Sequence, residues 1–234
     1  MFERLATLHL SKMPKLMHLW KENSQQVRGI QNLESLHVSE CGRLKTLVPS
    51  SMYFRNLYTL RVSNCHGLIS LATSSTVKSL VQLKELSISR CKRMREIVTN
   101  EGEGEAGDEI CFNQLSYLSL YDLATLGSFF HLGIRTMKFP TLQFLHVNRC
   151  PELKIFSNGV LSMPKLFTFT LDGNRWTAHQ SDLFPVEDVN TFIKRCWEKR
   201  NDPCLRQLFT QKTNASTSEA GEENDVDDLE DDSM

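Results

Sequence analysis

The sequence predicts an α/β solenoid, a curved parallel sheet of about seven repeats closed by a C-terminal helical cap. Three observations carry this. One apolar spacing, L-x-x-L-x-L-x-x-C-x-x-L-x-x-L with conservative swaps, recurs along the chain. Its copies begin at Leu5, Leu33, Leu57, Leu83, Leu115, Leu142 and Leu166, at intervals of 28, 24, 26, 32, 27 and 24 residues. Beyond the seventh copy the spacing gives way to a helical stripe and then to a run of acids. The 234 residues are 40% apolar and 24% charged, which excludes wholesale disorder.

These intervals are those of leucine-rich repeats. Copy two reads Leu33, Leu36, Val38, Cys41, Leu44 and Leu47, and copy three reads Leu57, Leu60, Val62, Cys65, Leu68 and Leu71. Copies four and six keep the cysteine as Cys91 and Cys150, whereas copies one and five place Met13 and Leu123 there. Copy seven stops halfway, with Asn174 in the cysteine slot. A helix would need apolar residues at i, i+3, i+4 and i+7, but the L-x-L core alternates at period two, so each copy starts with a short strand. Stacked at roughly 4.8 Å, seven strands span about 30 Å. The leucines at positions one, four and six point inward, and the remainder of each copy is expected to return as turns or short helices.

The ninth position sits where the chain leaves the strand. Asparagine suits it because an amide both donates and accepts; cysteine is smaller, apolar and a weak donor. Adjacent thiols could also form a metal or redox site, but parallel side chains in a ladder point alongside one another, which favours a structural role. With seven cysteines and no CxxC pair, a secreted disulfide scaffold or zinc ribbon is disfavoured.

Repeats occupy 1–180, with an acidic, glycine-rich insertion at 99–110 that reads as a solvated loop. Residues 181–212 form the predicted cap: Val189, Phe192, Ile193, Cys196 and Trp197 make one amphipathic stripe, and Asn201-Asp202-Pro203 stops it. A basic amphipathic helix can also bind membrane or calmodulin; covering the end of a solenoid is the simpler role. Residues 213–234 read as an acidic disordered tail. Up to residue 215 there are 27 basic and 19 acidic residues, a balance of +8, and nine acids with no base follow Lys212. A formal charge of −1 argues against a dedicated nucleic-acid binder. No apolar run is long enough to span a bilayer or form a signal core, so the chain reads as cytoplasmic, and the sequon at Asn214 carries no meaning.

The segments FPTLQFLHVNRCPELKIF, NLESLHVSECGRLKTLVP and LKELSISRCKRMREIV resemble the C-terminal leucine-rich-repeat region of plant coiled-coil nucleotide-binding (CC-NBS-LRR) disease-resistance proteins. The resemblance extends to the Glu-Gly insertion after Arg95-Glu96-Ile97-Val98 and to the closing DVNTFIKRCWEKRNDPCLRQLF, and covers Phe2 to about Lys212. It implies a repeat module that senses a pathogen effector or a guarded host protein and restrains the nucleotide-binding domain of its parent receptor. No G-x-x-x-x-G-K-[ST] loop occurs, so nucleotide binding is not carried over. Leu5 enters directly in repeat phase, which leads to the expectation of a truncated receptor or a fragment with an exposed apolar N-terminal edge.

Solenoids bind through the concave sheet, at the variable positions around L-x-L. In copies five and six these bring together Tyr117, Tyr121, Phe144, His146 and Arg149, the composition of an interface hot spot, with Arg61 and His37 earlier on the same face. The bland alternative is that Tyr117 and Phe144 only pack across neighbouring strands. No nucleophile elbow, H-E-x-x-H motif or phosphate loop occurs, so no enzyme, cofactor or metal is expected. The partner is expected to be a protein. A stand-alone scaffold, a ubiquitin-ligase substrate receptor and an inactive truncated gene product are the competing readings.

Overall fold

A computed structural model describes residues 5–20, 32–48, 53–99, 109–130, 136–177 and 189–201. The cores of all seven copies are strands: Thr7–Ser11, Ser35–Ser39, Thr59–Ser63, Glu85–Ser89, Tyr117–Tyr121, Phe144–Asn148 and Thr168–Leu171. They pair in parallel, in chain order and without a slip, so that His9, His37, Arg61, Ser87, Ser119, His146 and Thr170 form one row. The alternation decides this register, because a shift of one residue would turn every inward leucine to water. From Leu33 to Leu166 the residues at motif positions one, four and six are all buried. The first coil is looser, with Leu8 and Leu10 half-buried and Met13 and Met17 43% and 41% exposed.

The return path is more strand-rich than the turns or short helices expected. Ala72–Thr73, Glu96–Thr99, Ser128–Phe130 and Ile155–Ser157 stack into a second parallel sheet, and Glu109–Cys111, Thr136–Lys138 and Val160–Ser162 into a third. Among the described residues, helix is confined to Ser74–Val77 and Val189–Asn201. From the end of copy four to copy six the core between the sheets includes Phe112, Phe129, Phe139 and Phe156, with Phe112 stacked on Phe139 at 5.1 Å and Phe129 on Phe156 at 4.7 Å.

One residue per copy, just past the strand, adopts the left-handed conformation: Lys12, Glu40, Asn64, Arg90, Asp122 and Arg149 have φ of 53–56°. Each costs roughly 1 kcal/mol for a side-chain-bearing residue. The turn is held by a repeating bond: the N–H of Lys12, Glu40, Asn64, Arg90 and Asp122 donates to the strand-end carbonyl of the following copy at 2.9–3.1 Å. Immediately after it, Cys41, Cys65, Cys91 and Cys150 are buried, and each thiol donates to the carbonyl two residues back at 3.3–3.5 Å.

Copy seven departs from this pattern one residue early. Asp172 and Gly173, at φ 47° and 82°, make a two-residue turn of the type I′ kind, and Asn174–Thr177 returns antiparallel along the sheet edge. Asn174 is therefore exposed in a hairpin and does not fill the inward slot expected for it. The Asp172 carboxylate accepts from the Arg149 N–H at 2.8 Å, replacing the carbonyl that the next copy would supply.

The helix Val189–Asn201 buries Val189 and Ile193, and its Phe192 ring meets Phe169 at 5.6 Å. Asn190 completes the end of the second sheet: its carbonyl accepts from the N–H groups of Phe156 and Ser157 at 3.0 and 2.9 Å, and its amide donates to the Ser157 carbonyl at 2.8 Å. One side chain thus serves as the missing neighbour strand. Contacts divide the chain into units of 1–197 and 198–234. Most of the predicted insertion (100–108), the rest of the predicted cap (181–188 and 202–212) and the predicted tail (213–234) lie outside the described residues.

Candidate functional site

The register carries Tyr117 and Tyr121 onto the concave face of the fifth strand and Phe144 and His146 onto that of the sixth, with Tyr117 opposite Phe144. The Tyr117 and His146 rings lie 5.3 Å apart, and Phe144 meets the ring of Phe167 edge-on at 6.4 Å. His146 shares a hydrogen bond with the Thr170 hydroxyl at 3.1 Å. Partial burial, and then the charge of Arg175, hold its pKa below the ordinary histidine value, so the ring is neutral near pH 7.

Tyr121 lies at the strand-exit rim between two guanidiniums, Arg149 at 5.6 Å and Arg90 at 5.9 Å from the ring centre. Both arginines occupy the left-handed position one residue past their strands. Arg61 bonds Glu85 at 2.7 Å, and the pair joins Ser87, Ser116, Tyr117 and Phe144 around an open depression of about 640 Å³. Six of the seven residues expected on sequence grounds therefore gather on or beside one patch. His37 does not. It lies four strands from His146, packs edge-on against His9 at 5.6 Å and bonds Ser35 at 3.1 Å. Burial first, then Arg61, lower its pKa.

Arg90, Phe167 and Arg175 belong to this patch and escape a reading confined to the strand centres. Arg90 occupies the same motif position as Arg149 and was visible on that ground, whereas Arg175 reaches the face only through the hairpin, opposite Thr170. The cysteines are not part of it: burial pushes the thiols of Cys65 and Cys91 up to about 11 and about 12. Among the described residues no group of three histidine, cysteine or carboxylate side chains is placed to hold a metal ion, and no helix is long and apolar enough to cross a membrane.

A parallel leucine-rich coil with a polar concave sheet and one aromatic, arginine-edged patch defines a class: repeat solenoids that present side chains from strand centres. The chain belongs to the family described as plant disease resistance protein RPS2-like, leucine-rich repeats, whose model matches residues 1–54 and 50–166. It is similar to the disease resistance protein SUMM2 of Arabidopsis thaliana, at 28% identity over 53% of this chain and 15% of that protein. It is also similar to the probable disease resistance protein At1g61300, at 29% over 69% of this chain and 20% of that protein, and to the disease resistance protein RPS5, at 25% over 57% and 16%, both from the same plant. The chain spans a fifth or less of the length of these relatives. No solved structure matches it.

Proposed function

We propose that this chain is a non-catalytic protein-recognition module of a plant intracellular immune receptor, and that it reads its partner on the concave face of copies five and six. The partner is a pathogen effector or a guarded host protein, and the same repeats restrain the nucleotide-binding domain of a receptor of the parent type. One observation carries the reading: Tyr117, Tyr121, Phe144 and His146 present ring faces and edges side by side with Arg149 and Arg90 at their rim. Aromatic and arginine anchors dominate interface energetics. Tyr117 and Phe144 do pack as neighbours, but both remain partly exposed above an open depression, which leaves contact area for a partner.

The test is a random-peptide display selection on the full chain, with the selected clones assayed against Tyr117→Ala and Phe144→Ala. Each substitution is expected to weaken binding by about 2 kcal/mol, some thirtyfold, with little change in melting temperature. Clones that bind both variants as tightly as the parent remove the concave-face reading.

A further inference from the structure

The turns that leave the concave strands build a second surface, distinct from the sheet itself. Copy four brings Arg90, Lys92, Arg93 and Arg95 to this flank, and copy six brings Arg149 and Lys154; all six are exposed. Arg43 and Lys45 extend the flank at copy two. Among the described residues none of these cations lies within ion-pair distance of a carboxylate. Among the described residues the opposite flank, where the strands begin, has no such concentration: Arg55, Lys84 and Lys165 are single cations in separate copies.

The backbone that carries the basic wall is hydrogen-bonded from coil to coil. At its inner edge the left-handed residues bond to the next copy, and at its outer edge Arg95 donates to Ile69, Gly127 to Arg95 and Lys154 to Gly127, at 2.9–3.1 Å. Thr125 ties copy five to copy four by donating to the carbonyls of Lys92 and Met94 at 3.0 and 2.9 Å. The side chains are thus carried on fixed positions, with the clusters of copies two, four and six about 10 Å apart. That exceeds the screening length of about 8 Å at physiological salt, so each cluster calls for its own anionic counterpart.

We infer that this strand-exit flank is a second docking surface, which takes an acidic polypeptide segment of a partner protein. The acids interspersed on the flank favour a polypeptide over a continuous phosphate surface. Glu40, Asp122 and Glu152 stand among the cations, Asp122 between Arg90 and Arg149 in the same motif position. A nucleic-acid backbone or an anionic bilayer would set negative charge against each of them. A polypeptide can set a lysine or a hydroxyl there and keep its carboxylates for the clusters. The surface shares Arg90 and Arg149 with the rim of the aromatic patch, and Arg43, Lys45, Lys92, Arg93, Arg95 and Lys154 lie outside that patch.

The test measures binding of a fluorescein-labelled glutamate homopolymer to the full chain and to three double variants: Arg93→Glu/Arg95→Glu, Arg149→Glu/Lys154→Glu, and the charge-matched control Arg55→Glu/Lys165→Glu on the opposite flank. Each flank variant is expected to weaken binding about tenfold or more while the control stays within about twofold; Arg93→Glu/Arg95→Glu and the control should melt as the parent does, and Arg149→Glu/Lys154→Glu, which gives up cation–π contacts to Tyr121 and Trp197, should melt slightly lower. No binding by the parent, or equal losses in flank and control variants, overturns the inference. So does tighter binding of single-stranded DNA or phosphatidylserine vesicles with the same residue dependence. Tyr117→Ala and Phe144→Ala separate the two surfaces, because they should leave homopolymer binding unchanged even where they abolish binding of display-selected clones.

Discussion

Replacing Gly67 with alanine places a methyl group where the preceding coil already has backbone. A Cβ there would lie 2.6 Å from the Leu44 carbonyl oxygen, 2.9 Å from the Arg43 carbonyl carbon and 2.9 Å from the Gly42 oxygen. Carbon and oxygen tolerate contact at about 3.3 Å, so one coil must move roughly 0.7 Å from its neighbour. Overpacking of this kind costs about 1–3 kcal/mol, and a clash with backbone belongs in the upper half of that range. Lower entropy of the unfolded chain returns about 0.4–1 kcal/mol, leaving a net destabilisation of about 2 kcal/mol. In a domain of this size that lowers the melting temperature by about 4–8 °C. Gly42 is the internal control: nothing lies within 4 Å of a Cβ there and its backbone is outside the left-handed region. Gly42→Ala should therefore leave stability unchanged or raise it by about 0.5 kcal/mol. Thermal melts followed by circular dichroism decide the matter, and equal melting temperatures for the two variants would refute the close stacking of coils two and three.

Asn190→Ala removes the amide that satisfies the N–H groups of Phe156 and Ser157 and should cost about 2 kcal/mol, seen as a lower urea midpoint; an unchanged midpoint means water replaces it freely. The thiols of Cys65 and Cys91, buried with pKa values raised to about 11 and about 12, should resist a disulfide-exchange reagent at pH 8 until the chain unfolds, whereas rapid labelling of both in the folded chain would contradict their placement. His37 and His146 have folded pKa values below their ordinary 6.5, so the unfolded chain binds more protons. Stability should then fall as pH drops from 7 towards 5, and His37→Gln/His146→Gln should flatten that fall; an identical pH profile in the double variant counts against the shifts.

The seven strand cores and their register were legible because leucine spacing records both the period of the strand and the period of the coil. His9, His37 and Arg61 share a row because Leu8, Leu36 and Leu60 do. The second and third sheets were not legible. Strands as short as Ala72–Thr73 or Ser128–Phe130 are too brief to show alternation, and Ser128, Phe129 and Phe130 are all buried, so no polar face marks them. The left-handed residues were equally hidden, since lysine, glutamate and arginine occupy a conformation usually announced by glycine or asparagine. The Asp172-Gly173 hairpin is readable in principle, because an Asp-Gly pair between apolar residues is a strong turn signal, although the leucine spacing runs on in phase through Leu171. For the patch, composition placed Tyr117, Tyr121, Phe144, His146 and Arg149 together, while Arg175 required a chain reversal that the repeat spacing does not encode.

Recognition on the concave face of copies five and six is tested most directly by backbone amide resonances of the full chain titrated with a display-selected peptide. The largest shifts are expected in Tyr117–Tyr121 and Phe144–Asn148. Shifts confined to the third sheet, at Glu109–Cys111, Thr136–Lys138 and Val160–Ser162, would contradict it.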